Sequence, residues 1–154
     1  MRADTVLPGP SFGWGTSTGS GGDVNGDGYD DLVFGAMQDG FGGRAYVYHG
    51  GPNGVSTVVA TTVSALAQGG IVDYFGWSSA MAGDTNGDGY DDVLVGAAYG
   101  GLNDKGEAYV YLGGAAGIGT TPTRLPGEGN GHDVAALGDV TTRRAQELTE
   151  LHDA

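Results

Sequence analysis

Cysteine is absent, which excludes disulfide staples and leaves the redox compartment unset. Basic residues are scarce: six Lys and Arg stand against nineteen Asp and Glu, for a net charge of -13. A surface of that sign repels phosphate backbones and anionic headgroups, so neither nucleic acid nor membrane insertion is expected. No apolar run approaches the roughly 18 residues of a membrane-spanning helix. Residues 1 to 30 hold no basic start followed by an apolar stretch, so a signal peptide is expected to be absent or already removed. Proline is also sparse, with five residues, and chain punctuation falls to 33 glycines that recur at matching positions, as turns do. At 154 residues and 39% hydrophobic content the chain can bury the core of one domain.

What is present is a nine-residue string, Asp-x-Asn-Gly-Asp-Gly-Tyr-Asp-Asp, at Asp23 to Asp31 and again at Asp84 to Asp92. Side-chain oxygens recur at its first, third, fifth and ninth positions: Asp23, Asn25, Asp27 and Asp31, then Asp84, Asn86, Asp88 and Asp92. Glycine at position six permits the positive-φ turn that wraps a cation, and the carbonyls of Tyr29 and Tyr90 at position seven can add a backbone ligand. Hard oxygen donors without His or Cys select calcium, so two calcium sites are expected. Eight acids, Asp23, Asp27, Asp30, Asp31, Asp84, Asp88, Asp91 and Asp92, crowd these loops and repel one another without a cation. The plainer alternative is a pair of turns, since Asn-Gly and Asp-Gly often join two strands.

An EF-hand shares this opening but needs a bidentate Glu at position twelve and helices on both sides. Phe34 and Val95 occupy that position here. The runs that follow, Leu32 to Ala36 and Val93 to Ala97, are short, apolar and bounded by Gly, as buried strands are.

The repeat extends beyond the loops. Phe12-Gly13-Trp14 precedes the first copy and Phe75-Gly76-Trp77 the second; Ala45-Tyr46-Val47-Tyr48 recurs as Ala108-Tyr109-Val110-Tyr111. Each unit reads as strand, acidic loop, apolar strand, glycine-rich turn, alternating Tyr/Val strand, glycine turn and Thr/Val-rich strand. Four strands per repeat make an all-β fold of four-stranded antiparallel sheets, the pattern of β-propeller blades. Within each Tyr pair, one ring is expected to pack between blades and the other to face outward.

This combination resembles the FG-GAP repeats of integrin α-subunit β-propellers and their bacterial relatives, over roughly residues 5 to 127. Phe12-Gly13 and Phe75-Gly76 stand for the FG, and Phe34-Gly35-Ala36 and Val95-Gly96-Ala97 lie near the GAP, with Met37 and Ala98 where the family has Pro. The resemblance implies calcium in the hairpin between the first two strands of each blade, held by the eight side chains named above.

The expected organisation is residues 1-9 as the closing strand of a preceding blade, 10-69 as a first blade, 70-129 as a second, and 130-154 as a degenerate partial blade or helical tail. Arg143 and Glu147 fall where the third copy would need ligands, so that loop is not expected to hold calcium. Residues 142 to 152 instead have the composition of a short helix. Two blades and fragments cannot close a ring of four to eight. The missing blades would come from a parent chain or from self-association.

Candidate catalytic chemistry is thin. Gly15 to Gly19 matches Gly-x-Ser-x-Gly around Ser17 but lacks the strand-to-helix context of a nucleophile elbow. His49, His132 and His152 show neither metal spacing nor triad partners. The expected function is a non-enzymatic, calcium-stabilised recognition module for a protein or glycan, extracellular or at the cell surface. Loops of this kind in extracellular modules bind calcium at about 10⁻⁴ to 10⁻³ M. The alternative is an accessory part of a secreted enzyme whose catalysis lies elsewhere in the parent, because propellers host both.

Overall fold

The computed structural model describes residues 5–64, 74–100 and 106–126. Two four-stranded antiparallel sheets follow one another along the chain, and no helix occurs among the described residues. The first contains β1 (Trp14–Gly22), β2 (Asp31–Ala36), β3 (Arg44–Tyr48) and β4 (Thr61–Val63); the second contains β5 (Phe75–Gly83), β6 (Asp92–Ala97), β7 (Glu107–Tyr111) and β8 (Thr123–Pro126). Strand order in each sheet is the order in sequence, so each is a meander. The sheets are propeller blades, and each acidic loop is the hairpin between a blade's first two strands. The expected tail helix lies outside the described residues.

The two registers are copies. Trp14 faces Ala36 and Gly22 faces Asp31 in the first blade; Phe75 faces Ala97 and Gly83 faces Asp92 in the second. Both first strands carry register shifts at the same two places. This equivalence corrects the FG assignment in the first repeat. Trp14-Gly15, and not Phe12-Gly13, occupies the position of Phe75-Gly76, with Gly15 and Gly76 at φ 81° and 90°. Trp14 packs with Phe34 and Tyr48, whereas Phe12 is 80% exposed. Tryptophan concealed the match by replacing one large apolar ring with another.

Blades bury both faces, which explains why β2, β3, β6 and β7 are nearly continuous in β-branched, aromatic and small apolar residues. Between the sheets lie Val33, Ala45, Val47 and Val63 from the first and Phe75, Val93, Val95, Tyr109 and Tyr111 from the second. On the far side of the first sheet, Ala36, Tyr46 and Tyr48 gather Leu7, Trp14, Phe34, Val55 and Val59. Residues 5–10 form no strand, and Leu7 joins that cluster. On the far side of the second are Ala82, Leu94 and Ala108, with Val110 and Leu125.

The expectation that each Tyr pair splits between faces is overturned. Tyr46, Tyr48, Tyr109 and Tyr111 are all buried. Residues two apart in a strand point the same way, so each pair shares one face and the intervening Val47 or Val110 takes the other.

Glycine lets the blades meet. A Cβ on Gly35 would collide with the Gly76 carbonyl and with Ser17 Oγ, and one on Gly43 would collide with the Phe75 carbonyl. Through this gap Phe75 N–H donates to the Gly42 carbonyl at 2.7 Å and Ser17 Oγ donates to the Gly76 carbonyl at 3.0 Å. Gly35→Ala is therefore expected to destabilise the chain by about 1–3 kcal/mol in urea unfolding. Gly51→Ala, whose new Cβ would find nothing nearer than 3.7 Å, should stay within about 0.5 kcal/mol.

Candidate metal centre

Each loop winds around its first aspartate. Asp23 Oδ1 accepts the N–H groups of Gly26 and Asp27 at 2.8 and 3.1 Å, and Oδ2 accepts that of Gly28 at 2.7 Å. Asp84 does the same with Gly87, Asp88 and Gly89 at 2.8, 3.1 and 2.8 Å. The winding needs glycine at positions four and six, where φ is 73° and 87° in the first loop and 74° and 90° in the second. Burial alone would raise the Asp84 carboxyl; the N–H groups of Gly89, Asp88, Gly87 and Asn86 outweigh it and hold it below the ordinary aspartate value.

Positions three and five join this turn. Asn25 Oδ1 accepts Asp27 N–H at 3.2 Å, Asn25 Nδ2 donates to Asp27 Oδ2 at 3.1 Å, and Asp27 Oδ1 accepts Tyr29 N–H at 2.9 Å. The corresponding distances at Asn86, Asp88 and Tyr90 are 3.3, 3.2 and 3.0 Å. Asp27 and Asp88 are exposed, as is Asn86, while Asn25 is half-buried.

Position nine differs. Asp31 and Asp92 have no solvent exposure. Asp31 Oδ2 accepts Val24 N–H and Oδ1 accepts Gly50 N–H, both at 2.8 Å, tying the start of the loop to the chain leaving β3. Asp92 repeats this with Thr85 and Gly113 at 2.8 Å, and the Thr85 hydroxyl adds a 2.5 Å bond. Burial pushes both carboxyls above the ordinary aspartate value despite these donated bonds.

The loops thus bring positions one, three and five into one hydrogen-bonded turn and set position nine against its base. Among the described residues, no three carboxylate or imidazole side chains gather at the spacing of a metal's ligand shell. The donor chemistry nevertheless fits a hard divalent cation. Every candidate donor is oxygen, and the ion pairs found among the described residues, Arg44 with Asp39 and Arg124 with Glu107, lie away from the loops. A desolvated carboxylate is costly without a counter-charge, and a cation at the loop would supply one.

Comparison with known proteins places these loops in a family. A model described as FG-GAP repeat matches residues 14–48 and 75–111, beginning at Trp14 and Phe75. The chain carries two FG-GAP repeats. Integrin alpha-6 of Gallus gallus is 41% identical over 76 residues, covering 49% of this chain and 7% of that protein. Integrin alpha-6 of Homo sapiens is 37% identical over 108 residues, covering 67% of the chain and 9% of that protein. Integrin alpha-5 of Xenopus laevis is 32% identical over 138 residues, covering 82% of the chain and 13% of that protein. The chain therefore spans only a small part of the length of these relatives.

Ser17 lies within β1, with its hydroxyl 2.8 Å from Ser79 Oγ and donating to Gly76, so the Gly-x-Ser-x-Gly pattern is strand and not elbow. His49 Nδ1 sits 3.3 Å from Asn25 Nδ2, beside the first loop. His132 and His152 lie outside the described residues. No helix among the described residues is long and apolar enough to cross a membrane.

Two arrangements are invisible in the sequence pattern. In the first blade Tyr46 donates to Asp39, which pairs with Arg44; in the second, Tyr109 donates to Glu107, which pairs with Arg124. Arg44 and Glu107 both open the third strand, facing Ala36 and Ala97, so the charge at that position reverses and its partner changes with it. The position-eight acid of the second loop, Asp91, reaches back to the first, as developed below.

Asp31→Ala would leave two amide donors without their carboxylate. It is expected to cost about 1–3 kcal/mol in chelator, where no cation contributes, while Asp27→Ala at an exposed position costs less than about 1 kcal/mol. Urea denaturation in chelating buffer checks both.

Proposed function

We propose that this chain is a non-catalytic, calcium-binding, integrin-like propeller module for recognition of a protein or glycan outside the cell or at its surface. The observation that carries the proposal is the pair of matching hairpins, each ending in a fully buried carboxylate with no Lys or Arg partner among the described residues. In the first, Asp23, Asn25, Asp27 and Asp31 with the Tyr29 carbonyl would hold the ion; in the second, Asp84, Asn86, Asp88 and Asp92 with the Tyr90 carbonyl. Bound calcium would offset the carboxylate charge and bridge the loop turn to the strand behind it.

Recognition is supported by the likeness to proteins named integrin α and by the stacked-blade fold, which presents inter-strand loops at the ends of its sheets. The net charge of -13 directs the partner away from nucleic acid. Further blades, from a longer chain or from self-association, would cover the outer blade faces.

Free calcium at about ten times the dissociation constant is expected to stabilise the fold by roughly 1.4 kcal/mol per site. Chelation should therefore lower the melting temperature, and calorimetry should show Asp27→Ala and Asp88→Ala each removing one bound ion. An unchanged melting temperature with chelator, or full stoichiometry in both variants, would refute the calcium assignment.

A further inference from the structure

Asp91 belongs to the second loop by sequence and to the first by contact. Its Oδ2 accepts Asp23 N–H at 2.8 Å, and its own N–H donates to the Asp23 carbonyl at 3.0 Å. One residue of the second blade thus holds both backbone polar groups of the residue that opens the first loop. Two contacts flank this clasp. Gly114 N–H donates to the Val24 carbonyl at 3.0 Å, and the Tyr90 ring stands 2.8 Å from where a Cβ on Gly26 would be. Asp30, the equivalent acid of the first repeat, is exposed, whereas Asp91 is half-buried.

Asp23 is the residue around which the first loop is wound, since its carboxylate takes the N–H groups of Gly26, Asp27 and Gly28. Fixing its backbone fixes where that carboxylate stands. We infer that Asp91 is a positioning residue for the cation site of the first loop, acting across the boundary between blades. The inference rests on the calcium reading above and adds that the first site is assembled by two blades. By linkage, an ion that orders Asp23 also tightens the second blade against the first.

The test follows the Gly28 and Gly89 amides of the full-length chain by NMR during titration with calcium chloride. These amides donate to Asp23 and Asp84 and report the two loops separately. Asp91→Ala removes both charge and acceptor; Asp91→Asn removes the charge and keeps an acceptor oxygen. The expected result is a calcium midpoint at Gly28 at least about fivefold higher in Asp91→Ala than in Asp91→Asn, with the two variants within about twofold at Gly89. Equal midpoints at Gly28 overturn the inference, because only charge would then matter. Loss of both responses in Asp91→Ala also overturns it, because the change would not have acted through the first loop. A wild-type chain in which neither amide responds defeats the calcium reading itself, an outcome separable from any behaviour of the variants.

Discussion

A carboxylate stripped of water must be held by something, and in each blade the position-nine aspartate is held by the backbone on two sides. Asp31 joins Val24 to Gly50, and Asp92 joins Thr85 to Gly113. Each therefore pins the head of the acidic hairpin to the chain leaving the third strand, setting where the other oxygens of the loop stand. Burial raises both carboxyls above their ordinary value, so the ionised form carries a cost in the folded chain. A cation bound as proposed would compensate that cost, with the other loop oxygens as its remaining donors.

The second constraint is close approach. The blades meet where side chains are missing: Gly35 against Gly76, Gly43 against Phe75, and Gly19 against Ala80. The FG glycine of one repeat thus lies on the glycine near the GAP of the previous one, which gives a steric reason for both. The faces also repeat. Tyr109 and Tyr111 meet the first sheet, and Tyr46 and Tyr48 line the far side of that sheet in the same way. The first blade thus carries on its far side the same tyrosine face that the second blade turns toward it, as the units of a stacked array would.

Much of this was legible in the sequence because it is local and duplicated. The four-strand order, the hairpin position of the acidic loops and the glycine turns follow from spacing and residue type. The rest depends on neighbours. Trp14 hid the first FG because large rings are interchangeable in a packed site. The Tyr pairs share one face, against the expectation of opposite faces, because a separation of two residues in a strand places both rings on the same side. The link from Asp91 to Asp23, and the exchange of acid and Arg around Tyr46 and Tyr109, join residues through sheet packing, and no window along the chain reveals them. Within each loop, donor types can be read from the sequence, whereas the division between an exposed turn and a buried position-nine carboxylate requires the fold.

The most direct test is amide hydrogen exchange at Gly50 and Gly113, whose N–H groups donate to Asp31 and Asp92. Measured at neutral pH with calcium at ten times its dissociation constant and again in chelator, exchange at both amides is expected to be slower by about tenfold in calcium. Equal rates in the two buffers would contradict the claim that a cation compensates these buried carboxylates.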